Sequence, residues 1–201
     1  MGEGSLGPAL WPGLLSVAVG LGLAAACGFR IFVPLLIASL AARFGHLPLT
    51  SGFEWLAGPS AMIALSTATV LEIGAYYIPW LDHALDTVAT PTAVVAGMLA
   101  SAAVLTNLPA PLRWAIAIVG GGGAAGLIQG SSVLLRLKSS LLTGGAGNFA
   151  VSTLELIGAV AVALLAVLAP LAAAVAVVLL VAYAIRTTGR LVFRRGPAAG
   201  G

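Results

Sequence analysis

Apolar residues fall along this chain in long unbroken blocks, and proline, glycine or a cluster of charge marks each break between them. Blocks near or above the roughly 20 residues that carry a helix across a hydrocarbon core predict membrane-crossing helices. Six follow. The first is Leu14 to Ala42, too long for one untilted crossing, and Cys27-Gly28-Phe29-Arg30 with Pro34 in its middle predict a strong tilt or a break there. The second runs from Ser60 to Ile78 and stops at Pro79, while the third opens at Pro91, a favoured first-turn position, and ends near Asn107. A fourth, Trp114 to Leu135, carries the run Gly120 to Gly123. The fifth and sixth share the block Ala150 to Ile185, split at Ala169-Pro170. Nothing alternates apolar with polar over about ten residues, which excludes a β-barrel.

Composition fixes the solvent. With 60% hydrophobic residues and 7% charged ones, a chain of 201 residues has too little polar surface for a water-soluble globule. The expected fold is all-α, a polytopic transmembrane bundle over residues 1–201 in one domain, with the lipid bilayer as its partner. The net charge of +3 is no sign of nucleic-acid binding, since Arg186, Arg190, Arg194 and Arg195 sit together in the tail 186–201 just after the last apolar block. Cys27 is the single cysteine, so intrachain disulfides are excluded. Residues 23–27, LAAAC, faintly resemble a lipoprotein cleavage box. The preceding segment has Glu3 and no Lys or Arg, however, and the apolar run continues past Cys27, so the segment reads as a helix. Placing both termini in the cytoplasm puts Arg136, Lys138 and the tail arginines inside, against Arg43 and Arg113 outside, which is the expected basic bias.

Two three-helix halves, 14–108 and 114–186, share a Gly/Ala-rich first helix, a Leu-Glu pair in the second (TVLEIG, STLELIG) and a proline opening the third. Three helices per half would make an inverted repeat, as in many secondary transporters. Chance similarity among Gly/Ala/Leu/Val helices explains the same pattern, and both readings stand.

The chemistry lies in the few polar residues inside these blocks. Glu72 falls seven residues before Pro79 and Glu155 seven after Asn148, so each sits roughly 10 Å from the cytoplasmic side at about 1.5 Å per residue. A strict inverted repeat would place them at mirrored depths, so their common depth favours a shared site. An acid at such depth faces the bundle interior, finds a partner or protonates. The structural alternative is a hydrogen bond between helices, with Thr69, Ser152 or Thr153 available. Arg30, deep in the first block, either lines a polar cavity at a break or pairs with an acid, and its planar fork of donors suits a carboxylate or phosphate. Gln129 offers both a donor and an acceptor on the fourth helix. Asp82 and Asp86 lie at i and i+4 on one face of a short helical turn, where they repel mildly unless Arg136 or Lys138 sits between them. A metal held by Asp82, Asp86 and His83 is the sharper alternative and a solvated loop the plainer one. Asn148 is placed to cap the fifth helix, whose free N–H groups suit an anion. Gly120 to Gly123 lacks the Lys-Ser/Thr ending of a phosphate loop, which makes close helix packing the expected role.

These residues carry a resemblance. The opening G-x-A-A-x-x-G-x-R-x-x-x-P (Gly22 to Pro34), the E-x6-P-x-x-D-x3-D block (Glu72, Pro79, Asp82, Asp86), Gln129-Gly130-Ser131 and N-F…S-x-x-E (Asn148, Phe149, Ser152, Glu155) resemble domain-of-unknown-function family 4126, small bacterial integral-membrane proteins. The likeness spans Leu14 to Leu168 and implies a multi-pass protein of the bacterial inner membrane, with no activity attached. Tyr76-Tyr77 stands where the family often has an Asp-Lys pair, and Gly144 to Gly147 where it often has an S-P-E-P-like run, so no role is carried over for those charges.

The leading expectation is a small secondary transporter or permease. In it Glu72 and Glu155 exchange protons or bind a cation, Arg30 and Gln129 line the path of a small solute or ion, and no cofactor or resident metal is needed. A non-transporting scaffold or accessory subunit with structural polar residues is the alternative, and the Gly/Ala faces are compatible with a homo-oligomer without specifying one. An intramembrane enzyme acting on lipid ranks third. No Ser-His-Asp order, HExxH or zinc-ligand cluster supports it.

Overall fold

The computed structural model describes the backbone of residues 6–193 and the side chains of residues 10–78 and 88–186. Among them are seven helices and no strand: α1 Leu6–Cys27, α2 Phe32–Arg43, α3 Pro59–Ala75, α4 Pro79–Val104, α5 Ala110–Thr143, α6 Asn148–Leu168 and α7 Pro170–Phe193. Three stretches are long and apolar enough to cross a membrane, Leu10–Cys27, Ala110–Thr143 and Asn148–Leu168.

The first apolar block breaks, as its Gly and Pro predict, and the break also reverses the chain. At the end of α1 the N–H groups of Gly28 and Phe29 bond three residues back, to Ala25 and Ala26, which tightens the last turn. After α2 the chain at His46 to Pro48 lies beside Pro12, Leu15 and Ser16 of α1, around a cavity of about 280 Å³. The block is therefore a hairpin of two unequal arms. Pro34 falls in the first turn of α2, where its missing N–H is tolerated. A second hairpin follows: the Ser39 hydroxyl donates to the Leu56 carbonyl at 2.6 Å, just before α3 runs back toward the break. The extra reversal changes the expected six-helix layout. Phe29 lies against Gly158, and Gly22 against Ala166, so α6 runs antiparallel to α1. The one-residue turn at Ala169 then sends α7 along the direction of α1, and the start of α1 and the end of α7 lie at opposite ends of the bundle, not on one side. The two halves set out as repeats hold four helices and three.

Helix α4 begins at Pro79, not Pro91, and runs through Pro91. A buried alanine row, Ala89, Ala93, Ala96, Ala100 and Ala103, continues at helical spacing across that proline, and its packing outweighs the one lost backbone bond. At its far end the backbone N–H and hydroxyl of Thr50 donate to the carbonyls of Ala103 (2.8 Å) and Ala102 (3.0 Å), which would otherwise be orphaned. Helix α5 extends beyond the expected Trp114 to Leu135 at both ends and stops at Gly144, whose φ of 62° is the left-handed ending that glycine adopts freely.

Small residues set the spacing of the bundle. Ala24, Ala25, Ala26, Ala125, Ala163 and Ala166 are fully buried, whereas large apolar side chains such as Val119, Leu141, Leu154 and Val178 point outward. Aliphatic side chains turned to the outside are stable against lipid and not against water. The glycine run in α5 serves packing: it lies in a π-helical turn, Ala117–Gly122, and presses Gly121 onto α4. A methyl group on Gly97 of α4 would stand 2.6 Å from the Ala125 Cβ and 2.9 Å from the Gly121 carbonyl oxygen. Backbone at such range cannot give way, so Gly97→Ala is expected to lower unfolding stability in detergent by about 1–3 kcal/mol. Gly123→Ala, with nothing within 4 Å of the added carbon, should leave the unfolding midpoint nearly unchanged.

Candidate functional site

The break between α1 and α2 leaves two backbone donors with no local partner. Residue 31, which precedes α2, is an isoleucine with no capping side chain, so the amides of Ile31 and Phe32 have nothing nearby to bond. Glu72 supplies the acceptors from α3: its two carboxylate oxygens accept from Ile31 N–H at 2.7 Å and Phe32 N–H at 3.0 Å. An acid forty residues on thus caps a helix, and its charge sits at the positive end of that helix.

Arg30 occupies the turn itself. It is 2% exposed and the largest fully buried side chain among the described residues. Its Nη2 donates to the Ser152 carbonyl at 2.9 Å and lies 3.6 Å from Glu155 Oε2. Its guanidinium carbon stands 3.8 Å from the centre of the Tyr76 ring, a cation–π contact. Arg136, on α5, grips Glu155 from the other direction: Nε donates to Oε1 at 3.1 Å and Nη2 to Oε2, the two-pronged geometry that a guanidinium matches to a carboxylate. The Arg136 guanidinium also faces Tyr76, at 4.3 Å. Tyr77 closes the end of the cluster, stacking on Phe149 at 6.1 Å and bonding the Thr153 hydroxyl at 2.9 Å, which ties α3 to α6.

The expected residues separate into three groups. Arg30, Glu72 and Glu155 come together: both acids are buried, and Glu72 lies within electrostatic range of Arg30 and Glu155. Gln129 is buried on α5, between the Ile128 that packs on Gly28 and the cluster residue Arg136. Asn148 does not cap α6. It is the first residue of that helix, after Gly147, and its amide nitrogen donates to Ser140 Oγ at 3.0 Å, joining the helix to the end of α5. The side chains of Asp82, His83 and Asp86 lie outside the described residues; their backbone forms the first turns of α4. Among the described residues no group of three His, Cys, Asp or Glu side chains could hold a metal.

Two members of the cluster escaped the sequence reading. A fourth helix ending at Leu135 leaves Arg136 in a loop; in the structure it is 3% exposed inside a helix that continues to Thr143. The signal was present in Val133, Leu134, Leu137, Leu141 and Leu142, whose helical spacing runs past Arg136. Tyr76 stands out in the sequence only as a departure from a family pattern. Beside the cluster, between α2, α3 and α4, opens a largely apolar cavity of about 420 Å³ lined by Ile31, Phe32, Leu71, Glu72, Tyr76 and Thr92, among others.

Among the described residues, two basic and two acidic side chains share the interior, and they are stable there only as a set. Removing one member leaves a buried charge with too few partners, at about 3–5 kcal/mol. Arg136→Ala and Glu155→Ala are each expected to lower unfolding stability by that amount, and the double variant by clearly less than their sum. Additive losses in a double-mutant cycle would mean that the pair does not form.

Residues 17–190 match the family described as "Domain of unknown function (DUF4126)". No curated protein matches the chain, and no solved structure does.

Proposed function

This chain belongs to the DUF4126 family, and from the site it carries we propose that it is a small multi-pass membrane permease whose buried charge cluster handles a small solute or ion with proton coupling. The observation behind this is Arg30, a guanidinium held inside the bundle where an apolar helix is interrupted. Interrupted helices in transporters put polar groups at the depth where a solute must shed its water, and an ionisable group at that depth marks a pathway more often than a fold requirement. The cavity beside Glu72 gives a solute a route to the cluster from one face.

In this reading the apolar outer surface faces lipid. The end bearing Lys138 and Arg186 is cytoplasmic, because the basic excess gathers there while Arg43 and Arg113 lie at the other end. The start of α1 then faces the opposite compartment.

One observation favours a structural role as the second reading. Glu72 caps α2 and Arg136 grips Glu155, which are the contacts of a staple between helices. Proteoliposomes with a trapped pH dye separate the two. As a permease, the wild type gives gradient-dependent proton movement with at least one solute in a panel of anions, cations and neutral metabolites, and Glu155→Gln lowers the rate by about tenfold or more, a barrier change of about 1.4 kcal/mol. No gradient-dependent movement for any solute, with Glu155→Gln affecting only the unfolding midpoint, would leave the staple.

A further inference from the structure

The hydrogen-bonding capacity still unused in the cluster indicates what kind of solute it takes. Both oxygens of Glu155 accept from Arg136, and both oxygens of Glu72 accept from backbone amides. Each of these four oxygens already holds a donor. On the donor side, Arg30 Nε and Nη1 are buried with no hydrogen-bond partner, and so is the hydroxyl of Ser152, the residue whose carbonyl Arg30 Nη2 already holds. A guanidinium taken out of water normally finds an acceptor for each N–H, because leaving one unmade forfeits its hydration without return. The access is adjacent: Tyr76, stacked on that guanidinium, also lines the cavity that opens between α2, α3 and α4.

We propose that Arg30 and Ser152 form the binding site for a small oxyanion, a carboxylate or a phosphate, which enters from the cavity past Tyr76 together with one proton carried on Glu72. This rests on the permease reading for its direction of travel, but the binding site stands or falls separately from flux. The proton follows from charge. Among the described residues Arg30 and Arg136 stand against Glu72 and Glu155, so a bound anion adds a further negative charge in a low-dielectric interior, and protonating one carboxylate offsets it. Glu155 is held by two guanidinium groups, whereas Glu72 is held by neutral amides and lines the cavity. Facing Glu72 are Arg30 and Cys27 from the α1–α2 turn, Glu155 from α6 and Tyr76 on its own helix; the described cavity residues of α4, Val88, Ala89 and Thr92, carry no charge. The proton comes from water, sits on a Glu72 carboxylate oxygen while the anion is bound, and returns to water on release, so no covalent bond of the solute changes.

The test uses the full chain in phosphatidylcholine nanodiscs, with inorganic phosphate and lactate as probes, chloride as control, and calorimetric titration at mildly acidic and mildly alkaline pH. The wild type should bind at least one oxyanion saturably and more tightly at acidic pH. Arg30→Gln should weaken binding about tenfold or more, the worth of a lost charge-assisted hydrogen bond. Ser152→Ala, which keeps the carbonyl that Arg30 uses and so preserves the fold contact, should weaken it several-fold, and Glu72→Gln should bind with little dependence on pH. A further arm adds phosphatidic acid to the nanodiscs. Stabilisation by that lipid in the wild type but not in Arg30→Gln, without binding of free phosphate, assigns the oxyanion to a lipid headgroup. Oxyanion binding without flux in proteoliposomes supports the site and removes the permease reading. Undiminished binding by folded Ser152→Ala and Arg30→Gln overturns the proposal. So does a wild type that binds no oxyanion while its proteoliposomes carry a cation, an outcome that leaves transport intact.

Discussion

A guanidinium buried at a helix break imposes its needs on everything around it. Arg30 is shut away from the surface, so its charge must be met where it stands, and three helices meet it: α6 with the Ser152 carbonyl and Glu155, α3 with the Tyr76 ring at its end, and α5 with the Arg136 that shares Glu155. The break that frees Arg30 also exposes two amides, and Glu72 answers those from α3. Helix ends and side-chain charges are thus satisfied by one arrangement. Each partner lies far along the chain from the group it serves, so the cluster forms only when the helices have docked.

Docking at this range depends on small residues. Alanine and glycine line the contacts of α1 with α4, α5, α6 and α7, which lets backbones approach until carbonyl oxygens and methyl groups touch. The same close packing pushes leucine and valine outward, and the bundle shows apolar atoms on the outside and charged ones inside, the reverse of a protein folded for water. In such a bundle a buried charge is unfavourable unless it is met, so Arg30, Glu72, Arg136 and Glu155 depend on one another more than a similar cluster on a wet surface would.

The arrangement is uneven in a way that gives it chemistry. Among the described residues its carboxylates are engaged, yet donors remain on Arg30 and Ser152. A cluster built only to hold helices together would be expected to use those donors among its own members, since each unmade bond weakens the staple. An apolar cavity lies at its flank, with Glu72 and Tyr76 in the wall.

By itself the sequence determined the class of structure and most of the places where the chain turns. Hydropathy in blocks dictates helices, Gly28 and Pro34 dictate a break, and Ala169-Pro170 dictates a turn, because each is a local property of the backbone or of its solvent. It also singled out Arg30, Glu72 and Glu155, since a charge in an apolar block is conspicuous without coordinates. What the sequence did not reveal was direction and partnership. Whether α2 continued α1 or folded back on it depended on the packing of His46 to Pro48 beside Pro12 and Leu15, and one such reversal separates the ends of α1 and α7. Local rules make Pro91 a helix start, and the buried alanine row that runs across it overrules them. Arg136 looked like a loop residue until α5 was seen to run on. Asn148 looked like a cap and proved to be a link to Ser140. Only the tertiary structure could decide these, because the energy that settles them comes from residues dozens of positions away, brought together by helix packing that no local pattern encodes.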